Sequence, residues 1–225
     1  MQKISVLIPV YNREQFIAKT LKSICKQKYT NLDIIIYDDG STDKSVEIIQ
    51  DFINHDKRIR LIKGQKNQGI GFARNCLLDA CNTKYAIWQD SDDISDLHRI
   101  VLQIKAMNKD LLVFCEWAWL HETSKGWKKR LCNTNKKAFA TLMFPVNKNI
   151  RFSEKLRIGG EDWKWIEEMQ KVYESIEISP RLYFVRYHND RIGHWKKIIR
   201  AKVPKEIISQ KSYAELIQYC KEHYE

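Results

Sequence analysis

The stretch Tyr85-Ala86-Ile87-Trp88-Gln89-Asp90-Ser91-Asp92-Asp93 runs a short apolar segment into three carboxylates within four residues. Acids this close together at the mouth of a buried strand repel one another, and a fold keeps them mainly when a cation or a polyhydroxyl ligand sits among them. The competing reading is an ordinary loop whose Asp and Ser residues cap a helix starting near Ser95. The flanking sequence has to decide between the two.

Upstream, strand-like and helix-like segments alternate without exception. Ile4 to Val10 is apolar and rich in β-branched residues, as in a strand buried on both faces, and Pro9 marks its end. Phe16, Ile17, Leu21 and Ile24 recur at helical spacing. A second strand, Leu32 to Tyr37, is followed by a helix with Val46, Ile49 and Ile53 on one side. Strand three is Ile59 to Lys63, a helix spans about Gly71 to Cys81, and strand four is Tyr85 to Gln89. This order predicts an α/β fold of Rossmann-like type, a mostly parallel sheet flanked by helices, with ligands at the carboxyl ends of the strands. Every polar cluster of the first hundred residues lies at such an end.

Downstream of Asp93 the regularity breaks. Leu97 to Met107 reads as a helix and Leu111 to Leu120 as a long strand, turned by Ser124-Lys125-Gly126 into a return strand from Trp127. Lys137 to Met143 is expected to form a short helix, Glu161 to Val172 a longer one, and Ile176 to Tyr187 a strand pair bent at Pro180. Ser212 to His223 has the pattern of an amphipathic helix. A single domain over 1–225 is expected: a ligand-binding half (1–100), a second half (101–200) and a helical tail (201–225).

The net charge of +11 is unevenly spread. Residues 1–100 hold 15 Lys and Arg against 13 Asp and Glu, whereas 101–225 hold 24 against 15. A basic second half suits an anionic substrate or an anionic membrane surface; it carries no recognised nucleic-acid motif, so nucleic acid is not expected as a partner. The six cysteines are scattered, without metal spacing, and read as free thiols. With no apolar run near 18 residues and no leader pattern, the expectation is a cytoplasmic protein, with peripheral membrane contact compatible.

Three further strand ends carry chemistry. Pro9-Val10-Tyr11-Asn12-Arg13 offers an aromatic ring beside backbone groups, suited to stacking on a base. In Asp38-Asp39-Gly40-Ser41-Thr42-Asp43, helix capping accounts for Ser41 to Asp43 but leaves Asp38 and Asp39 unexplained; a carboxylate there can accept from a base N–H or a ribose hydroxyl. Gly69-Ile70-Gly71 after a strand, with Asp90 downstream, imitates a dinucleotide fingerprint, and an NAD(P)-dependent Rossmann oxidoreductase is the alternative it raises. The third glycine position, however, is Arg74, whose bulk opposes the packing that fingerprint needs. Arg74 is expected to pair with a diphosphate or with the acid cluster.

Taken in order and spacing, Pro9-Val10-Tyr11-Asn12, Asp38 to Asp43, Gly71-Phe72-Ala73-Arg74-Asn75 and Asp90-Ser91-Asp92-Asp93 resemble the family 2 glycosyltransferases, which have the GT-A fold. Gly159-Gly160-Glu161-Asp162-Trp163 is similar to that family's Gly-Glu-Asp motif. The resemblance implies an inverting transfer from a nucleoside diphosphate sugar, UDP-linked by preference, to a glycan or lipid-linked acceptor in polysaccharide biosynthesis. It implies that Pro9, Tyr11, Asn12, Arg13, Asp38, Asp39, Gly71, Arg74, Asp90 and Ser91 surround the donor, with Tyr11 and Asp38 at the base. Asp92 and Asp90, with His188 as a further candidate, would hold Mn²⁺ or Mg²⁺ in the manner of a DXD motif. Asp162, with Glu161 beside it, would take the acceptor's proton at a helix start whose dipole favours the ionised form. Of the tryptophans beyond residue 110, Trp165 reads as core, and one or two others are expected to line an acceptor groove.

Overall fold

A computed structural model describes residues 1–123, 126–130, 137–154, 160–188 and 218. Alternation in β1 (Ile4–Val10) divides the core in two. Ile4, Val6, Ile8 and Val10 face one cluster and Leu7 the other, all of them buried. Each fully buried side chain of this size stabilises the fold by about 2 kcal/mol. Against the first face pack α1 (Ile17–Cys25), α2 (Ser45–His55) and α4 (Arg99–Ala106). Against the second lie α3 (Ile70–Ala80) and α5 (Glu161–Gln170). Helices on both faces are what a strand apolar on both sides requires.

The remaining strands are β2 (Leu32–Asp38), β3 (Ile59–Lys63), β4 (Tyr85–Trp88), β5 (Ile94–Ser95), β6 (Leu112–Thr123), β7 (Gly126–Arg130), β8 (Met143–Pro145) and β9 (Ser175–Arg186). They join β1 in one sheet of order β3-β2-β1-β4-β8-β6-β9-β5, with β7 paired to β6. Strands β1 to β4 are mutually parallel as expected, and β8 runs antiparallel to β4. Because β2 and β4 flank β1 on opposite sides, the chain reverses its winding at β1. A crevice opens at such a point, beyond the carboxyl ends of the strands. Pairing of β1 with β4 stops at Leu7, two residues before Pro9, so proline's missing N–H takes nothing from that ladder.

Three expectations are corrected beyond β4. Met143 begins β8 rather than ending a helix, and only a short 3-10 turn, Phe139–Thr141, precedes it. Ile94–Ser95 forms β5, antiparallel to β9, so the acids before it sit between two strands and the helix starts later, at Arg99. The pair expected around Pro180 is one strand, β9. Its register against β6 jumps from Cys115↔Ile178 to Glu116↔Arg181, and this bulge leaves Pro180 outside the ladder, where its lack of an N–H does no harm. The expected tail helix apart from residue 218, the turn at Ser124-Lys125, Gly159, Cys132 and Cys220 lie outside the described residues; Cys25, Cys76, Cys81 and Cys115 are free thiols.

Candidate active site

At the end of β2 the chain lays two acids side by side. Asp39 is only 3% exposed, and its carboxylate accepts from the backbone N–H of Gln68 (2.9 Å) and of Gly69 (2.8 Å). Asp38 accepts from Ser41 N at 3.1 Å through Oδ2, while its Oδ1 is buried with no hydrogen-bond partner among the described residues. Burial pushes the Asp39 carboxyl up to about 6; the two backbone donors oppose that rise, and Asp38 beside it adds to it. A raised carboxyl stabilises the fold most fully below its unfolded pKa of about 3.9, and that contribution is lost as pH rises through about 6. Relative to Asp39→Asn, wild-type stability is therefore expected to fall by roughly 2 kcal/mol at most between pH 4 and pH 7. Urea unfolding of both proteins across that range checks it.

Gly40 turns the chain after these acids at φ +74. A Cβ there would lie 2.7 Å from the backbone C and Cα of Lys66, atoms that cannot swing aside. Gly40→Ala is expected to destabilise by about 2–4 kcal/mol, from the left-handed backbone and the clash together. Thermal melting reads it out. At Gly71 a Cβ would meet Ser153 O at 2.7 Å, so the close approach at this glycine is of the chain's own backbone.

The end of β1 reaches across to the end of β4. Asn12, at φ +48, is held by Ser41 Oγ on its N–H (2.9 Å) and by Thr42 N donating to its Oδ1 (2.9 Å). Arg13 Nε lies 3.4 Å from Asp92 Oδ2, and His188 Nε2 lies 3.2 Å from the same oxygen. The His188 ring stacks on Phe16 at 4.1 Å. The structure thus brings His188, 96 positions away in sequence, onto Asp92. Asp90, Asp92 and Asp93 each offer an oxygen, all within 4.8 Å of one another. They are not equivalent. Asp93 is 1% exposed and its Oδ1 accepts from Arg186 N at 2.9 Å, whereas the Asp90 side chain is 35% exposed. Asp93 braces the loop; Asp90 and Asp92 are the acids open to the crevice. Pro9 and Ser91 are buried, and Ser91 O accepts from Thr20 Oγ1.

Arg74 joins this loop to α5. Its Nη1 donates to Glu161 Oε1 at 3.0 Å, its Nη2 lies 4.0 Å from Asp90 Oδ1, and its guanidinium rests 4.2 Å over the Phe139 ring. The acid cluster is therefore a secondary partner, and the main one, Glu161, is a pairing no sequence spacing announces. Glu161 and Asp162 take different places: Glu161 is 4% exposed on Arg74, and Asp162 is half-buried at the helix start, accepting from Trp163 N at 2.8 Å. Trp163 is 50% exposed beside it, while Trp165 is core and stacks on Phe152. Arg186, two residues before His188, is buried and donates to Asp92 O, Phe16 O and Thr20 Oγ1.

The family model described as "Glycosyl transferase family 2" matches residues 5–160. The chain belongs to glycosyl transferase family 2. A glycosyltransferase of Haemophilus influenzae is 36% identical over 137 residues, 61% of this chain and 55% of the relative. Chondroitin synthase of Escherichia coli is 37% identical over 112 residues, half of this chain and 16% of that one. The chain thus spans about half the length of the first relative and much less of the second. Staphylococcus aureus TarS 1–349, solved with UDP-GlcNAc, superimposes with a TM-score of 0.68 at 18% identity over 98% of this chain and 73% of that one. A Pyrobaculum calidifontis mannosyltransferase solved with GDP-Man and Mn²⁺ gives 0.67 at 14% identity over 97% and 69%. These likenesses establish the GT-A fold, and nothing among them supports the oxidoreductase that Gly69 and Gly71 had raised.

Proposed function

We propose that this family 2 chain moves a sugar, with inversion and with a divalent metal, from a nucleoside diphosphate sugar to a hydroxyl of a glycan or lipid-linked acceptor. UDP is the preferred carrier. The observation that supports the reading is the placing of acids from three separate elements around the winding reversal at β1: Asp38 and Asp39 at the end of β2, Asp90 and Asp92 after β4, and Glu161, beside Asp162, tied to Asp90 through Arg74. A capping role needs no such convergence. Membrane contact through the basic second half is compatible with a lipid-linked acceptor; among the described residues no helix is long and apolar enough to cross a bilayer.

Each residue's part follows from its chemistry. The Oδ1 of Asp38, buried and without a hydrogen-bond partner among the described residues, would accept a base N–H that reaches it, and Tyr11, part-exposed at the next strand end, supplies a ring for stacking. Asp39 accepts two backbone N–H groups, which fixes the start of α3 under the ribose position. Asp90 and Asp92 offer hard oxygens on side chains 35% and 15% exposed, and the Arg13 guanidinium beside Asp92 offsets part of their charge. Such a donor set fits Mn²⁺ or Mg²⁺, which take carboxylates and leave the remaining positions to phosphate and water. When bound, the ion neutralises charge that develops on the departing diphosphate. Asp162 accepts the proton of the acceptor hydroxyl while the new oxygen–C1 bond forms and the C1–diphosphate bond breaks on the opposite face.

The test is a donor-hydrolysis screen with UDP- and GDP-sugars, with Mn²⁺ and with EDTA. Hydrolysis of at least one donor is expected, lost at least tenfold on chelation. Failure of every nucleotide sugar to bind or turn over, with tight binding of NAD(P), overturns the proposal; full turnover in EDTA removes the metal from it.

A further inference from the structure

Arg99 is wholly buried, at 0% exposure, yet the hydrogen bonds of its guanidinium end on neutral acceptors. Nε donates to Gln103 Oε1 (3.1 Å); Nη1 donates to Gln89 Oε1 (3.2 Å) and Ser95 Oγ (2.9 Å); Nη2 donates to Trp88 O (3.1 Å) and Ala140 O (2.7 Å). A cation taken fully out of water without a hydrogen-bonded carboxylate is expensive, and an apolar side chain of similar volume would fill the space at less cost. What no apolar residue or lysine can do is hold five acceptors in one plane. Those acceptors come from β4, the residue after it, β5, α4 and the turn at Phe139–Thr141.

One of them leads to the acids. Gln89, also 0% exposed, receives Arg99 and Ser95 on its Oε1, which turns its Nε2 toward the loop. That Nε2 donates to Asp90 O at 3.0 Å and to Asp93 O at 3.2 Å, clamping the two ends of the acidic loop. Three carboxylates within 4.8 Å of one another push such a loop open, and a clamp from beneath resists that. We infer that Arg99 is a positioning residue: through Gln89 it holds the Asp90–Asp93 loop closed, and so sets the spacing of the two crevice-facing acids. The inference rests on the proposed reading of that loop as the donor and metal end.

Hydrogen exchange in the metal-free protein tests it without recourse to activity. The amides of Asp90, Asp93 and Ser95, bonded to Tyr183 Oη, Asp90 O and Ser23 Oγ, report loop order. In Arg99→Met these amides are expected to exchange at least tenfold faster, and Mn²⁺ affinity in the presence of UDP to fall at least tenfold. Gln103→Leu is the control: it removes buried bonds to Val113 O and Thr141 O and the acceptor of Arg99 Nε, but leaves the four Nη bonds of Arg99, the one to Gln89 among them, and the Gln89 clamp in place. It is expected to lower the melting temperature comparably, with loop exchange and Mn²⁺ affinity within twofold of wild type. If Arg99→Met does not fold, Ser95→Ala, which removes one donor to Gln89 Oε1, is expected to raise the same exchange rates at least threefold. Unchanged loop exchange in the folded variant, or an equal change in Gln103→Leu, overturns the inference. Faster exchange in a protein whose wild type binds neither Mn²⁺ nor UDP leaves the clamp standing and overturns the functional reading instead.

Discussion

Asp162→Asn is expected to lower turnover by about a thousandfold or more while leaving donor affinity within about threefold of wild type. The size follows from what proton abstraction by a positioned carboxylate contributes, about 10² to 10⁴ in rate. The split follows from the proposed role, in which Asp162 at the start of α5 serves the acceptor, and its hydrogen bond from Trp163 N involves none of the acids at the ends of β2 and β4. Asn keeps the oxygen that accepts from Trp163 N, so the helix start loses little. Glu161→Gln behaves differently. It leaves Arg74, 6% exposed over Phe139, with a neutral partner, so stability and turnover are expected to fall together. Steady-state kinetics beside melting curves separates the two acids. Asp162→Asn with turnover near wild type would leave Glu161 or a residue beyond those described as the base.

The part of the molecule legible in its sequence is the part built by local rules. Short apolar, β-branched runs and helical spacing located β1 to β4 and α1 to α3 closely, and turn chemistry located the polar strand ends, because each depends on neighbours within one element. The short strands β5 and β8 escaped. Ile94–Ser95 and Met143–Pro145 are too brief for any periodicity and exist because β9 and β4 offer them a ladder. The same holds within the site. That Asp38, Asp39, Asp90 and Asp92 lie at the carboxyl ends of the two parallel strands flanking β1 was readable from strand order alone, but their partners were not. Arg74 choosing Glu161, His188 stacking on Phe16, and Asp93 turning inward to Arg186 N are contacts across 87, 172 and 93 positions of sequence. One trace was present: Arg99 and Gln103 sit at i and i+4 on the side of α4 that also carries Ile100, so two polar residues occupied an apolar face and called for a buried network.

Asp92→Ala is the other large effect, and the fold around it makes the result unusually clean. If Asp92 ligates the ion as proposed, the variant is expected to lose metal-dependent turnover at least about a hundredfold and to bind Mn²⁺ at least as much more weakly, since a direct ligand contributes no less than the groups that orient it. Stability is expected to change by less than about 1 kcal/mol. Arg186 holds the backbone carbonyl of residue 92, which alanine retains, and Arg13 keeps its bonds to Tyr11 O and Asn12 O. Removing one of three crowded carboxylates also relieves repulsion. Asp93→Ala is the mirror case: it strips a buried acceptor from Arg186 N and is expected to destabilise by about 1–3 kcal/mol. Calorimetry with Mn²⁺ and UDP, beside urea unfolding of both variants, tests the division. Wild-type Mn²⁺ affinity in Asp92→Ala would mean that the ion is held by Asp90 and groups away from this loop.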